Sequence, residues 1–242
     1  MESPTRSEPA PLPGTERWVP SPWVVFMNRV LNKLRSPVVL RSRFDHREDM
    51  VSMEQISNLE LLLTDVLDRK VTGAVVELGC YMGSTAAVFA SLLQAHDTKR
   101  PFHVYDRFDI ELGSSQGVWQ AFVERMNAAK VPLPTIHAGD VLETVPRDLP
   151  PAIAFAHIDL GTGGDMHSHV SLMAHGLSHL YARLSRGGVI VFMDYHVPGR
   201  TVQGNDSNPG VRLTVDAFFE NKPEKPRILY GGPCSHAYIR KQ

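Results

Sequence analysis

Five carboxylates, Glu77, Asp106, Asp140, Asp159 and Asp194, each stand at or just past the end of an apolar, strand-like run. A carboxylate in that position can accept hydrogen bonds from hydroxyls and amines, hold a cation, or take a proton. Any one of them alone reads equally well as a turn former or a helix cap. In an open α/β sheet, however, ligands bind beyond the carboxyl ends of the strands, so five acids on one edge describe a ligand site. The first acid opens the loop Glu77-Leu78-Gly79-Cys80-Tyr81-Met82-Gly83-Ser84-Thr85, where a strand-like run passes through two glycines into a helix-compatible segment. Such a loop lets a nucleotide-like ligand approach backbone N–H groups at a helix N-terminus. Its spacing is Glu-x-Gly-x-x-x-Gly, which is neither the dinucleotide G-x-G-x-x-G nor a P-loop with its lysine. Asp106 follows at the distance where an acid accepts hydrogen bonds from ribose hydroxyls. Ribose recognition without a phosphate grip points to an adenosyl cofactor.

The other half of the chain is rich in histidine: His157, His167, His169, His175, His179 and His196. His196 closely follows Asp194, where a neutral imidazole could take a proton near neutral pH; as a plain loop residue it would do nothing. His175 and His179, at i and i+4, share a helix face and could form half a zinc site. Without a Cys or clear acid to complete it, a solvated face or a dimer contact is the preferred reading.

These residues need an alternating scaffold to hold them. Candidate strands are 74–79, 102–106, 134–138, 152–158 and 188–193, and candidate helices are 84–95, 117–129, 141–145, 168–184 and 210–221. Nearly continuous apolar strands such as Ala152-Ile153-Ala154-Phe155-Ala156 suit a parallel sheet covered by helices on both faces. Arg227-Ile228-Leu229-Tyr230 and Ala237-Tyr238-Ile239, joined through Gly231-Gly232-Pro233, read as an antiparallel pair closing the sheet. The expected class is thus α/β and Rossmann-like: a mostly parallel sheet with a C-terminal antiparallel strand pair. Ahead of it, Ser52-Met53-Glu54-Gln55 is a capping box for a helix burying Ile56, Leu59, Leu63, Val66 and Leu67, which Gly73 can end. Trp23, Phe26, Met27, Val30, Leu31 and Leu34 recur at helical spacing and predict a second amphipathic helix, packed on the domain or on a dimer partner, or serving as a lid. Residues 1–22, with six prolines, read as a disordered or loosely draped arm. The expected division is 1–22 arm, 23–72 N-terminal helices and 73–242 ligand-binding domain. Val197 to Pro209, polar and rich in turn residues, reads as a substrate-covering loop or an inert surface loop.

Bulk properties narrow the partners. A net charge of −1 gives no pull toward nucleic acid or anionic membrane. Two cysteines make no disulfide framework. No apolar run approaches the ~20 residues of a membrane span, and no secretory signal is recognisable, so a cytoplasmic location is expected. A homo-oligomer is expected, with a small hydroxylated molecule as partner.

The loop from Glu77 to Ser84, the strand end Asp106-Arg107-Phe108, Ala138-Gly139-Asp140 and Ile158-Asp159 resemble a class I S-adenosylmethionine-dependent methyltransferase. Within that class the chain resembles the macrocin O-methyltransferase (TylF) family over roughly residues 48–240. Met50-Val51-Ser52 through Asn58-Leu59, Asp165-Met166-His167 and Leu184-Ser185-Arg186-Gly187-Gly188 leading to Met193-Asp194-Tyr195 carry the further likeness. The resemblance implies that Glu77, Gly79, Tyr81, Gly83 and Ser84 hold the methionine portion of S-adenosylmethionine, with Asp159 beside them. It places ribose on Asp106 and adenine on Asp140. It also implies a magnesium ion on Asp159 and Asp194, which would lower the pKa of an acceptor hydroxyl. The chain departs from the family in two places. Met193 replaces one member of an acidic pair, and a thioether is a poor magnesium ligand. Leu160-Gly161-Thr162-Gly163-Gly164 replaces a short Asp-Gly-Asp, so the family's base falls on Gly161 by counting, or on Asp165 if the glycines are an insertion. The catalytic candidates are therefore His196, Asp159 and Asp165. The expected activity is O-methylation of a sugar or polyol hydroxyl in a natural product. The alternatives are a catechol-type or hydroxylase-like enzyme of the same fold, or a non-catalytic adenosyl-binding module, which Met193 would favour.

Overall fold

The computed structural model describes residues 22–38, 40, 51–96, 98–109, 117–161, 165–197, 210–231 and 234–242. The expected N-terminal arm, bar its last residue, and the expected loop from Val197, bar that residue, lie outside them. Helices α1 (Pro22–Lys33) and α2 (Met53–Asp68) precede a repeating strand–helix series. It runs β1 (Ala74–Leu78), α3 (Ser84–Ala95), β2 (Phe102–Asp106), α4 (Val118–Ala128), β3 (Thr135–Ala138), α5 (Val141–Thr144) and β4 (Ile153–Ile158). Then come α6 (Met166–Arg183), β5 (Leu184–Phe192), α7 (Gly210–Phe219), β6 (Arg227–Gly231) and β7 (Cys234–Arg240).

The seven strands form one sheet in the order β3-β2-β1-β4-β5-β7-β6. Strands β1 to β5 pair in parallel, and β7 pairs antiparallel with both β5 and β6. All of β1 and β4 is buried, as suits strands that are apolar except for Glu77 and His157. One layer packs α2, α3 and α4 on the face holding Val75, Phe155 and Val191. The other packs α6 and α7 on the face holding Val76, Ala156 and Phe192. Leu59, Leu63 and Val66 of α2 have no exposed surface, each contributing about 1.5–3 kcal/mol of apolar burial.

The α2 capping box forms as read: Gln55 N donates to Ser52 Oγ, and Ser52 N donates to Gln55 Oε1. The far end differs from expectation. Arg69 caps the helix and Lys70 takes the left-handed conformation (φ 56°). Gly73 sits at φ 122° because a Cβ there would lie 2.7 Å from the Ala154 backbone nitrogen, so its role is close approach to β4. Strand β5 begins at Leu184, before the expected 188, because Leu184 pairs with Ile153 ahead of a register shift to Phe155↔Val189. The stripe of α1 is not taken into the core: Trp23, Phe26 and Leu34 are exposed. Among the described residues, no helix is long and apolar enough to cross a membrane.

Candidate active site

Strand order reverses between β1 and β4, and the crevice at that switch point is where an open α/β sheet binds ligands. The backbones there are in contact. Asp159 N donates to Leu78 O (2.8 Å) and Gly79 N to Tyr105 O (2.8 Å). Gly79 is left-handed (φ 80°), and a Cβ on it would collide with the Asp159 carbonyl oxygen. Gly83 is also left-handed, and its Cβ would meet Phe122 Cδ2 at 2.7 Å. The loop therefore depends on both glycines, and Gly83 leads directly into the N-terminus of α3 at Ser84.

The acids of the first three strands are already engaged. Asp106 Oδ2 accepts from Cys80 N (2.8 Å) and Tyr81 N (2.7 Å), while Oδ1 accepts from Phe108 N (2.8 Å). One carboxylate thus holds the glycine loop and its own strand end together; it stabilises the left-handed Tyr81 (φ 45°) and Phe108 (φ 57°). Asp140 caps α5, accepting from Leu142 N (2.8 Å) through Oδ1, with Oδ2 4.0 Å from Arg107 Nη1. Glu77 is fully buried. Its Oε1 accepts from Thr85 Oγ1 and from His157 Nδ1 (2.9 Å), so Nδ1 carries the ring proton. The sequence reading placed Glu77 and Ser84 against the ligand. The structure buries Glu77 beneath the loop and makes Thr85, at the second helical position, its link to α3. A charged side chain inside a fully apolar strand requires buried partners, which was the signal for Thr85 and His157.

The acids of β4 and β5 stand differently. Burial and the neighbouring charge of Asp194 push the Asp159 carboxyl up to about 7. Asp194 takes the left-handed conformation (φ 56°). His196 Nε2 lies 3.7 Å from Asp194 Oδ1. The imidazole is buried, and neither nitrogen has a hydrogen-bond partner. Burial holds its pKa below the ordinary histidine range against the opposing pull of Asp194. Between these two residues, Tyr195 donates its hydroxyl to Asp216 Oδ1 of α7 (2.5 Å).

Asp165 caps α6, accepting from Ser168 N (2.9 Å) and Ser168 Oγ (3.1 Å). It is exposed, and those bonds hold its carboxyl below the usual range, which makes it a weak base. His175 Nε2 donates to Val145 O (2.6 Å) and its ring packs edge-on to His179; that nitrogen is committed, which removes the half-zinc reading. The magnesium expectation meets a short donor set. Met193 is buried and offers sulfur where an oxygen is needed. Among the described residues no three His, Cys, Asp or Glu side chains converge as ligands. Asp159 and Asp194 supply two carboxylates, so any magnesium bound there would complete its octahedron with water or substrate oxygens.

Strand order, glycine loop and acids along the carboxyl edge define a Rossmann-like methyltransferase fold. Residues 76–195 match the family described as "Methyltransferase domain", and the protein is a methyltransferase enzyme. No curated protein sequence matches the chain. Among solved structures it is similar to the O-methyltransferase NovP, at 17% identity over 91% of this chain and 98% of that one (TM-score 0.60). It is also similar to CalS11, a TDP-rhamnose 3'-O-methyltransferase of calicheamicin biosynthesis, at 22% identity over 94% and 98% (TM-score 0.58). TomG from Streptomyces achromogenes, an O-methyltransferase of tomaymycin synthesis solved with SAM, is 14% identical over 95% and 99% (TM-score 0.55).

Proposed function

We propose that this methyltransferase transfers the methyl group of S-adenosylmethionine to a hydroxyl oxygen on a sugar or polyol portion of a natural product. Three features support the donor: a glycine loop with no room for Cβ atoms, Asp106 and Asp140 with carboxylate lone pairs left for ribose and adenine, and no phosphate-binding motif. The similar structures include O-methyltransferases acting in natural-product pathways, one of them on a nucleotide-linked sugar, which supports the acceptor class.

The observation that carries the reading is the unpartnered, buried His196 beside Asp194, close along the sheet edge from Asp159. When bound, S-adenosylmethionine supplies an electrophilic methyl group on a cationic sulfur. Asp194, and Asp159 when ionised, would offer negative charge to that cation. With Nε2 toward Asp194, His196 Nδ1 would take the proton of an acceptor hydroxyl brought against it as the oxygen attacks the methyl carbon and S-adenosylhomocysteine leaves, and Asp194 would stabilise the resulting imidazolium. The residues then need only hold oxygen and methyl in line, and positioning supplies much of the rate.

Labelled methyl donor, offered with a panel of polyhydroxylated acceptors that includes TDP-rhamnose, tests the reading. Transfer to a hydroxyl that persists in chelator is the expected result. Activity lost in chelator and restored by magnesium would reassign Asp159 and Asp194 as metal ligands. Binding of S-adenosylhomocysteine without transfer to any hydroxyl would turn the protein into an adenosyl-binding module.

A further inference from the structure

His169 belongs to none of the roles above, yet both of its ring nitrogens are spent. It lies in the first turn of α6 and is 1% exposed. Nδ1 accepts a hydrogen bond from Gly210 N (3.1 Å). An N–H can only donate, so Nδ1 carries no proton and Nε2 does. Nε2 in turn donates to Leu160 O at 2.5 Å. The ring thus bridges the residue after Asp159 to the first residue of α7. The fit admits nothing else: a Cβ on Gly210 would lie 2.5 Å from His169 Nδ1 and 2.8 Å from Val170 N.

Helix α7 carries this connection onward. Asp216 accepts the Tyr195 hydroxyl (2.5 Å) and is paired with Arg212 (3.3 Å), whose guanidinium stands 6.0 Å from the Tyr195 ring centre. Tyr195 O also accepts from Ser235 Oγ (2.6 Å). Tyr195 is the residue between Asp194 and His196. The contacts therefore close a ring: Asp159–Leu160, His169, Gly210, α7, Asp216, Tyr195, and back to Asp194 and His196. Besides this ring, the two acid-bearing strand ends are joined by sheet pairing, which ends at Ile158↔Phe192, and by the Met193 N to Ile158 O bond (2.9 Å).

We propose that His169 is a positioning residue that fixes the separation of Asp159 from Asp194 and His196 through helix α7. It touches no reacting atom; it acts by setting where Leu160 and Tyr195 stand. The inference rests on the methyl-transfer reading only for its consequence in catalysis, because the mechanical link is a property of the fold. A misplacement of about 1 Å at such a site costs on the order of a hundredfold in rate.

The link is measured without any acceptor by 19F NMR of the full chain labelled with 3-fluorotyrosine, where the Tyr195 signal is identified by its loss in Tyr195→Phe. His169→Leu should shift or broaden the Tyr195 signal while leaving most of the six tyrosines unmoved. His169→Gln, whose amide can both accept and donate, should restore it in part. With TDP-rhamnose or another acceptor that the wild type methylates, His169→Leu should lower kcat at least tenfold with S-adenosylhomocysteine affinity held within about twofold. An unchanged Tyr195 signal in folded His169→Leu overturns the proposal, and so does movement of all six signals together. If His169→Leu does not fold, Gly210→Ala, which wedges the same contact apart, gives the same reading. Failure of methyl transfer in the wild type would count against the function and leave the 19F result standing.

Discussion

The two halves of the site sit on one sheet edge and are built on opposite principles. At the ends of β1, β2 and β3 each acid is already tied into the protein: Glu77 through Oε1 to Thr85 and His157, with Oε2 left over, Asp106 to three backbone N–H groups, Asp140 to the first turn of α5. At the ends of β4 and β5 the groups are left in tension. Burial and the charge of Asp194 raise the Asp159 carboxyl to about 7, and His196 is buried with no hydrogen-bond partner. Hydrogen bonding of buried polar groups is nearly universal in folded proteins, so an orphan needs a reason. On the proposed reading the β1–β3 half is a preformed cradle for the donor. On the same reading the β4–β5 half faces the acceptor and keeps the proton-accepting capacity that the proposed reaction requires.

The largest expected effect breaks the acceptor half alone. His196→Ala should lower methyl-transfer turnover by about 10²–10⁴, the range for a general base. S-adenosylhomocysteine affinity measured by calorimetry should stay within about twofold. Equal losses in both measurements would erase the distinction between the halves.

Breaking the donor half should give the reverse pattern. Asp106→Ala leaves Cys80 N, Tyr81 N and Phe108 N without their acceptor, and hydrogen bonds to a charged group contribute about 1.5–3 kcal/mol each. Part of that loss is recovered by water, so S-adenosylhomocysteine affinity should weaken by about 10- to 100-fold. Saturating donor should then restore much of the turnover. Unchanged affinity would remove Asp106 from the cradle.

How much of this contrast the sequence displays follows from the physics of each half. The strand and helix positions were legible because apolar runs and 3.6-residue periodicity are local properties, and Ser84–Ala95 and Phe102–Asp106 match their expected bounds. The shape of the glycine loop was legible because glycine spacing and strand-end acids lie within short stretches. The partners of Glu77 were not, since His157 stands 80 positions away and only sheet register brings it alongside. The same holds for His169, whose two bonds reach across 9 and 41 positions. Asp165 misled for the opposite reason: an Asp three residues before Ser168 is a strong local cap signal, and the cap is what it makes.

A smaller effect concerns the strain between the two acids. An ordinary Asp titrates near 3.9 in the unfolded chain, whereas Asp159 is raised to about 7. Between those values the native state binds a proton that the unfolded chain does not, so this group costs stability progressively as pH rises from about 4 to 7. Asp159→Asn removes the charge and keeps the shape. It should raise Tm at pH 8 by roughly 3 °C or more, have little effect at pH 4, and abolish turnover. A lower Tm at pH 8 would show that Asp194 and Asp159 are not in opposition.

The smallest effect tests how far the tension extends. His236 on β7 is fully buried, neither nitrogen has a hydrogen-bond partner, and burial with nearby His157 depresses its pKa to about 4. The register Phe192↔Ala237 sets it beside Met193, lateral to Asp159. An unfolded chain takes up a proton near 6.5 that the native state refuses until about 4, so stability is complete above the first value and drains as pH falls toward the second. His236→Leu, close in volume, removes both the orphaned nitrogens and the titration. Its Tm should exceed that of the wild type, and by more at pH 5 than at pH 8. If turnover is also kept within about twofold, the reactive capacity of the acceptor half ends at His196 and His236 is buried ballast. If turnover falls while Tm rises, His236 belongs with Asp159 and His196, and the unsatisfied region reaches across the sheet to β7.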